Sequence, residues 1–296
     1  MTTDNVFIVM VDGGCMSLTS LLDNDHELRT ILDSNFDKPK IESVKERVVE
    51  PQTTDWALVG TAFDYVLRFW LEQEFSQVES RQWVAEQGVL LARTLHFDTE
   101  AENGQDYADL LNDIKKKHRE YIEGGEMTDD LLASTLDLAR LDTIYRSQRN
   151  PNNIGDPKQG NVRELRRLYE AIPKEEFRSK NLKRVLLNPA FGSKSHMVGG
   201  ADCDLVLDEL LIDIKTVKDL KLKREYWRQL IGYLVLADLA EDEWIDLPEM
   251  SQIGIYYSRH GELWSYPAAK VYEHENYDQF KAYFCDRAEE HFGSSS

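Results

Sequence analysis

The most informative part of the chain is residues 199–215, which have the sequence GGADCDLVLDELLIDIK. Apolar residues run up to Leu207, the polar residues Asp208 and Glu209 follow, and apolar residues resume at Leu210. Two polar residues between two apolar runs are typical of a tight turn between antiparallel strands. The pattern predicts a β-hairpin in which Leu207 pairs with Leu210.

One face of this hairpin is predicted to carry charged side chains that oppose each other across the two strands. Continuing the register places Asp204 opposite Asp213 and Asp202 opposite Lys215. These four side chains share a face because side chains alternate along a strand, and directly opposed Cβ atoms lie roughly 4.5–5.5 Å apart. Carboxylates this close repel each other unless a cation or a proton lies between them. The pattern therefore indicates a site for a divalent metal ion.

The other face of the hairpin is apolar and is predicted to pack on a core. Its side chains are Cys203, Leu205, Ile212 and Ile214. A solvated hairpin also alternates charged and apolar residues, so the charge pattern alone leaves that simpler interpretation open. The next segment, residues 223–239, favours a functional site, because its amphipathic helix places Gln229 and Tyr233 four residues apart on one face.

The order of these motifs resembles the PD-(D/E)XK nuclease superfamily, and most closely its RecB-like branch. The shared pattern is an Asp, then Asp-x-Lys on the neighbouring strand, then Gln-x-x-x-Tyr on the following helix. Upstream, Gly60-Thr61-Ala62-Phe63-Asp64 resembles the Gly-Thr-x-x-His that opens the first core helix of that branch, with Asp64 at the histidine position. The similar regions are about residues 55–75 and 196–265.

The resemblance implies an α/β fold with a restriction-endonuclease-like core, in which α-β-β-α-β elements build a mixed sheet. Residues 1–75 would form an N-terminal segment and the first core helix. Residues 76–195 would form a large all-helical insertion, which by analogy covers the site. Residues 196–296 would form the nuclease core with the metal-site hairpin.

The remaining elements follow from periodicity and from capping and turn residues. Thr128 is predicted to cap a helix that carries Asp129 and Asp130 in its first turn. Further helices are predicted at residues 55–74, 76–95, 107–122, 128–149, 162–171 and 276–292, and strands at 5–11, 253–257 and 263–266.

The implied chemistry is metal-assisted phosphodiester hydrolysis with Mg²⁺ or Mn²⁺ as the cofactor. Asp204, Asp213 and the backbone carbonyl of Ile214 would hold the ion through hard oxygen ligands, and Asp202 and Asp64 compete for the remaining ligand role. The other side chains of the motif would act directly on water and substrate.

Three more residues complete the implied catalytic set. Lys215 would orient or deprotonate the attacking water, and Gln229 would hydrogen-bond to that water or to Lys215. Tyr233 would contact a substrate phosphate. A polar stripe on a helix that packs on the sheet is the simpler interpretation for Gln229 and Tyr233.

Charge and aromatic content restrict the kind of nucleic-acid binding. The net charge of −19 argues against strong nonspecific binding, because phosphate contacts need cations. Two stretches are nevertheless basic, residues 158–184 and 215–228, and they form either a local phosphate track or ordinary solvated faces. The six tryptophans fall at helical or strand spacing, which is more typical of core residues than of base-stacking platforms.

Several classes of protein are disfavoured by composition. The chain has no run of 18 apolar residues and no basic leader region, so we expect neither a membrane span nor a secretion signal. Three separated cysteines are too few for a four-cysteine metal or iron–sulfur site, and Cys203 is expected to be an inert buried thiol. These features predict a cytoplasmic protein.

The sequence therefore favours a metal-dependent nuclease that acts on nucleic acid, on DNA rather than RNA, in a DNA-processing or anti-phage defence system. Without a helicase or specificity module, it is expected to work with a protein partner or as a homo-oligomer. One alternative is a catalytically silent nucleic-acid-binding or scaffolding subunit. Another is a different metal hydrolase on an unrelated fold, in which Asp204 and Asp213 would not lie on adjacent strands.

Overall fold

A computed structural model describes residues 17–43, 45–240 and 247–293 of the protein. These ranges contain twelve helices and six strands, and five helices in succession separate the first strand from the second. The helices are α1 (Leu18–Asn24), α2 (His26–Asn35), α3 (Trp56–Glu74), α4 (Val84–Thr94), α5 (Tyr107–Ile122), α6 (Asp129–Ser147), α7 (Gln159–Glu170), α8 (Lys174–Ser179), α9 (Ser193–Met197), α10 (Arg224–Ala240), α11 (Ala269–Tyr272) and α12 (Tyr277–Phe292). The strands are β1 (Val78–Ser80), β2 (Val185–Leu187), β3 (Leu205–Leu207), β4 (Leu210–Lys215), β5 (Gln252–Tyr257) and β6 (Glu262–Pro267).

The six strands form one mixed sheet, and their order in space is their order in the chain. The pairs β1–β2 and β4–β5 are parallel, whereas β2–β3, β3–β4 and β5–β6 are antiparallel. In the hairpin of β3 and β4, Leu207 pairs with Leu210 and Leu205 with Ile212. The predicted pairing of Leu207 with Leu210 and the predicted α/β class with a mixed sheet are thus confirmed.

Helices cover both faces of this sheet. Leu205 and Ile212 pack into a hydrophobic cluster with residues of α3 to α7, whereas Val206 and Leu211 pack into a second cluster with α1, α2, α10 and α12. The separation follows from the alternation of side chains along each strand. The result is a helix–sheet–helix arrangement in which the hairpin lies in the middle layer.

The prediction that residues 76–195 are all helical is wrong, because β1 and β2 lie within this range and join the same sheet as the hairpin. Each of these strands has three residues, too few to show an alternating pattern. All three residues of β2 are buried, so no polar position marks a face. Residues of α4 to α7 share a hydrophobic cluster with α3 and with the hairpin.

The long helices match their predicted ranges best. α5 spans the predicted residues, α3 and α10 begin within one residue of the predicted positions, and Thr128 Oγ1 accepts a hydrogen bond from Leu131 N as the cap of α6. The range 76–95 instead contains β1 and the shorter α4, and the short helices α1, α2, α8, α9 and α11 were not predicted. The strand predicted at 5–11 lies outside the described residues. Within the described part of the chain, no helix is both long and apolar enough to cross a membrane.

A buried ion pair joins α7 to the turn between β5 and β6. Arg259 Nη2 lies 2.5 Å from Glu164 Oε1, and the two side chains are 1% and 0% exposed. Glu164 Oε2 also accepts hydrogen bonds from Gln52 N and Thr53 N, at 2.7 and 3.1 Å. The segment that leads into α3, the helix α7 and the β5–β6 turn therefore meet at one carboxylate.

Candidate active site

The strands β3 and β4 separate at the open end of the hairpin. The residues just before β3 pair there with the residues just after β2, and not with β4. Asn188 N donates to the carbonyl oxygen of Asp204 at 3.1 Å, and an isolated bridge pairs Ala190 with Asp202. On the other side, Ile214 N donates to the carboxylate of Asp204, with 2.6 Å between N and Oδ2. A side-chain oxygen thus replaces the backbone acceptor at the point where the strands separate.

Asp202 does not lie opposite Lys215, contrary to the prediction, because this part of the chain pairs with the extension of β2. Its carboxylate accepts a hydrogen bond from Asn188 Nδ2 at 3.1 Å and lies 4.0 Å from Arg146 Nη2. Cys203 was predicted to share a face with Leu205 and Ile212. It packs instead in the hydrophobic cluster that contains α10, whereas Leu205 and Ile212 pack in the other cluster. It is fully buried, as expected of an inert thiol.

Three carboxylates interact where the strands separate. Burial raises the pKa of Asp204 well above its usual value, and the charges of Asp64 and Asp213 raise it further. Burial also raises the pKa of Asp213, which is 2% exposed, although Lys215 opposes this shift. The structure therefore brings together the two aspartates of the hairpin and the aspartate of the Gly60–Asp64 segment.

Lys215 is held as a cation by its neighbours. Its Nζ lies 2.7 Å from Asp213 Oδ2 and 4.9 Å from the ring centroid of Tyr226. Burial lowers the pKa of Lys215, but the charges of Asp213 and Asp204 outweigh burial, so the net pKa is above the usual value. In this state Lys215 offsets the charge of the carboxylates.

Helix α10 extends this cluster through two hydrogen bonds. Lys215 Nζ donates to Gln229 Oε1 at 3.1 Å, and Gln229 Nε2 donates to Tyr233 OH at 2.8 Å. Tyr233 is only 5% exposed, and its ring stacks on Phe191 with 5.7 Å between centroids. The predicted helix face is thus present, and on it Tyr233 is hydrogen-bonded to Gln229.

Asp64 projects from α3 and is paired with Arg68 one turn later on the same helix. The guanidinium of Arg68 also lies over the ring of Tyr65, 4.6 Å from its centroid. Burial lowers the pKa of Arg68, but Asp64 outweighs burial and raises it above the usual value. Arg68 is therefore a fixed positive charge beside the carboxylates.

Sequence reasoning missed Arg146, at the end of α6. Its Nε lies 2.6 Å from Asp142 Oδ1, and Asp142 is fully buried. The side chain of Arg146 is 51% exposed and reaches toward Asp202. No sequence signal marks it, because Arg146 and Asp202 come together only through packing of α6 near the hairpin.

The donor chemistry of the cluster suits a hard divalent cation, for which carboxylate oxygens are preferred ligands. Asp64 Oδ1 is buried and has no hydrogen-bond partner, as expected of an oxygen available to an ion. Within residues 17–43, 45–240 and 247–293, however, no group of three or more His, Cys, Asp or Glu side chains is arranged to hold a metal ion. Asp64, Asp204 and Asp213 are the side chains that would hold such an ion. Ile214, whose carbonyl is the fourth predicted ligand, follows Asp213 in β4.

Four of the nine Lys and Arg side chains in the first basic stretch form ion pairs with acidic neighbours. In it, ion pairs join Arg166 to Asp129, Arg178 to Glu74 and Glu175, Arg184 to Glu79, and Lys158 to Asp55. This pattern favours a solvated face over a phosphate track for residues 158–184. In the second stretch, Arg224 and Arg228 pair with Asp33, whereas the lysines before α10 are exposed.

No protein-family model, curated protein or solved structure matches this chain.

Proposed function

We propose that the protein is a metal-dependent nuclease with a restriction-endonuclease-like core, related to the RecB-like branch of the PD-(D/E)XK superfamily. The observation that carries this proposal is the convergence of Asp64, Asp204, Asp213 and Lys215 where β3 and β4 separate. A fold gains little stability from buried carboxylates that repel each other, and such a cluster is typical of a functional site. The chain order α3, β3, β4, α10, β5 agrees with the proposed core.

Each residue has a defined task in this proposal. Asp64, Asp204, Asp213 and the carbonyl of Ile214 would hold Mg²⁺ or Mn²⁺, and the bound ion would polarise the scissile phosphate and lower the pKa of water. Lys215, held as an ammonium, would offset the negative charge that builds on the phosphate. Gln229 orients Lys215, and Tyr233 orients Gln229.

The proposed substrate is nucleic acid, with DNA favoured over RNA. The setting is a cytoplasmic DNA-processing or anti-phage defence system in which the protein works with a protein partner or as a homo-oligomer. The exposed lysines before α10 would supply the local phosphate contacts on an otherwise acidic chain.

The proposal is tested by replacing the cation of the site. Wild-type protein and the variant Lys215→Ala are incubated with linear, circular and single-stranded DNA and with RNA in the presence of Mn²⁺. We expect cleavage by the wild type and a loss of at least about 100-fold in the variant, the usual effect of removing a group that acts in the reaction. The measurement is the initial rate of substrate loss on a gel.

Lys270→Ala is the matched control, because Lys270 is an exposed lysine of α11 and lies outside both basic stretches. Thermal unfolding of both variants is followed in parallel, since Lys215 also offsets the charge of Asp213. Equal cleavage by the wild type and a folded Lys215→Ala variant would contradict the mechanism.

A second candidate is a nucleic-acid-binding subunit without catalysis. It is favoured by the engagement of Asp213 by Lys215 and of Asp64 by Arg68, which leaves no ready three-ligand group among the described residues. Titration with Mg²⁺ and Mn²⁺ separates the two candidates. A metal-binding nuclease is stabilised by about 2.7 kcal/mol at 100 times the dissociation constant, whereas a binding-only subunit shows no metal-dependent shift in melting temperature.

A further inference from the structure

Trp56, the first residue of α3, is an exposed tryptophan, contrary to the expectation that the tryptophans belong to the core. It is 53% exposed, whereas Trp70, Trp83 and Trp227 are at most 8% exposed. An indole that remains exposed loses the hydrophobic stabilisation that burial would provide. Its position therefore requires an explanation beyond packing.

A cation lies against this indole. Lys218 Nζ is 4.6 Å from the centroid of the Trp56 ring, within the range of a cation–π interaction. The backbone of Lys218 is held in place by Arg47, whose Nη1 donates to its carbonyl oxygen at 3.1 Å. The aromatic surface and the positive charge are thus presented together.

The pair lies on the same two elements that carry the candidate active site. Trp56 precedes Asp64 by eight residues on α3, which is about 12 Å along the helix axis, and Lys218 follows Lys215 by three residues. These elements are in contact between the two places, since a Cβ on Gly60 would lie 3.8 Å from Thr216 Cβ. The Trp56–Lys218 pair is therefore a neighbour of the site and not a remote surface feature.

We propose that the Trp56–Lys218 pair binds an unpaired nucleotide, and that the substrate is single-stranded nucleic acid or the frayed end of a duplex. The base stacks on the exposed indole, and the ammonium of Lys218 contacts the adjoining phosphate. Bases inside a duplex are already stacked on each other and cannot offer a face to the ring. The substrate class rests on the proposed nuclease function, whereas the binding itself does not.

A protein partner is a poorer occupant of this surface. The large exposed apolar side chains within the described residues are Val48, Trp56 and Leu90. Protein interfaces have an apolar centre built from many residues. A single aromatic ring beside a cation offers instead the two contacts that a nucleotide needs.

The test is equilibrium binding followed by fluorescence anisotropy, in EDTA so that no cleavage occurs. The probes are a fluorescein-labelled 12-nucleotide thymidine strand, a 12-base-pair duplex and a 12-unit strand of abasic sugar phosphates. The variants are Trp56→Ala, Trp56→Phe as the conservative replacement, and Leu90→Ala, which removes an equally exposed apolar side chain from α4.

We expect the wild type to bind the thymidine strand more tightly than the duplex or the abasic strand. Trp56→Ala should weaken binding of the thymidine strand about tenfold, the usual effect of losing one base–aromatic stack. It should leave the other two probes unchanged, Trp56→Phe should retain most of the affinity, and Leu90→Ala should have no effect.

Unchanged affinity of Trp56→Ala for the thymidine strand, or equal weakening for all three probes, would overturn the inference. So would a wild type that binds none of the probes. Because cleavage is not measured, a failure of the nuclease proposal in the Lys215→Ala experiment is distinguishable from a failure here.

Discussion

At the scale of single residues, the main feature of the molecule is a set of carboxylates placed against their electrostatic preference. Asp204 is subject to burial and to the charges of Asp64 and Asp213, and all three effects raise its pKa. Lys215, paired with Asp213, and Arg68, paired with Asp64, offset part of this repulsion. A bound cation would relieve the remaining repulsion. We therefore expect that the carboxylates needed for function lower the stability of the metal-free protein.

Replacing Asp204 should therefore stabilise the metal-free protein. In Asp204→Asn, the amide oxygen can still accept from Ile214 N, but the negative charge is gone. We expect the free energy of unfolding in EDTA to rise by about 1 kcal/mol, the usual size of a single stabilising substitution, and the stabilisation by Mn²⁺ to be lost. Thermal unfolding with and without metal measures both.

Asp278→Asn is the control for this prediction, because its side chain is 96% exposed and forms only a long ion pair. It should change neither quantity. A lower stability of Asp204→Asn in EDTA would show that the carboxylate contributes to folding and is not a source of repulsion.

At the scale of the elements, the helices on the α3 face of the sheet pack closely enough for a glycine to matter. A Cβ added at Gly88 of α4 would lie 1.9 Å from the carbonyl oxygen of Leu141 in α6. Real Cβ atoms do not approach a backbone oxygen this closely, and a backbone atom cannot rotate away. Gly88 therefore sets the distance between α4 and α6.

The variant Gly88→Ala should be destabilised by about 1–3 kcal/mol, the usual cost of overpacking. Helix propensity alone predicts the opposite, since alanine is favoured over glycine by about 1 kcal/mol in a helix interior. Urea denaturation measures the sign. Gly60→Ala in α3 is the matched control, because its Cβ would lie at an ordinary 3.8 Å from Thr216 Cβ; it should be neutral or stabilising.

At the scale of the whole molecule, the helical layer and the sheet are joined by contacts between distant parts of the chain. Arg259 and Glu164 form one such contact, and the same carboxylate holds Gln52 and Thr53 just before α3. Because Glu164 is fully buried, its charge depends on Arg259 for compensation. The placement of α3, and with it Asp64, depends on this junction.

Arg259→Met should destabilise the protein by about 3–5 kcal/mol, because it leaves Glu164 buried and uncompensated. The double variant Arg259→Met, Glu164→Gln should recover part of this loss, since the charge is gone while an acceptor for Gln52 N is retained. Urea denaturation measures the differences. Arg166→Met, which breaks the more exposed pair with Asp129, should cost at most about 1 kcal/mol; a similar cost at Arg259 would contradict the argument.

Local features were predictable from the chain alone. The register of the β3–β4 hairpin follows from two polar residues between two apolar runs, and α5 and α6 follow from periodicity and from the cap at Thr128. The spacing of Gln229 and Tyr233 on one helix face was predictable for the same reason. Each of these depends on residues that are close in sequence.

The rest depends on contacts between residues that are far apart in the chain. Three-residue strands such as β1 and β2 carry no readable period and form only where a neighbouring strand offers a partner. Asp202 forms its bridge with Ala190, which comes after β2, and does not pair with β4. Arg146 reaches toward Asp202 from α6. Trp56 begins α3 and is 53% exposed, with the ammonium of Lys218 over its ring. Side-chain alternation determines which residues of a single strand share a face. Which neighbouring strand it pairs with is decided only when the whole sheet packs.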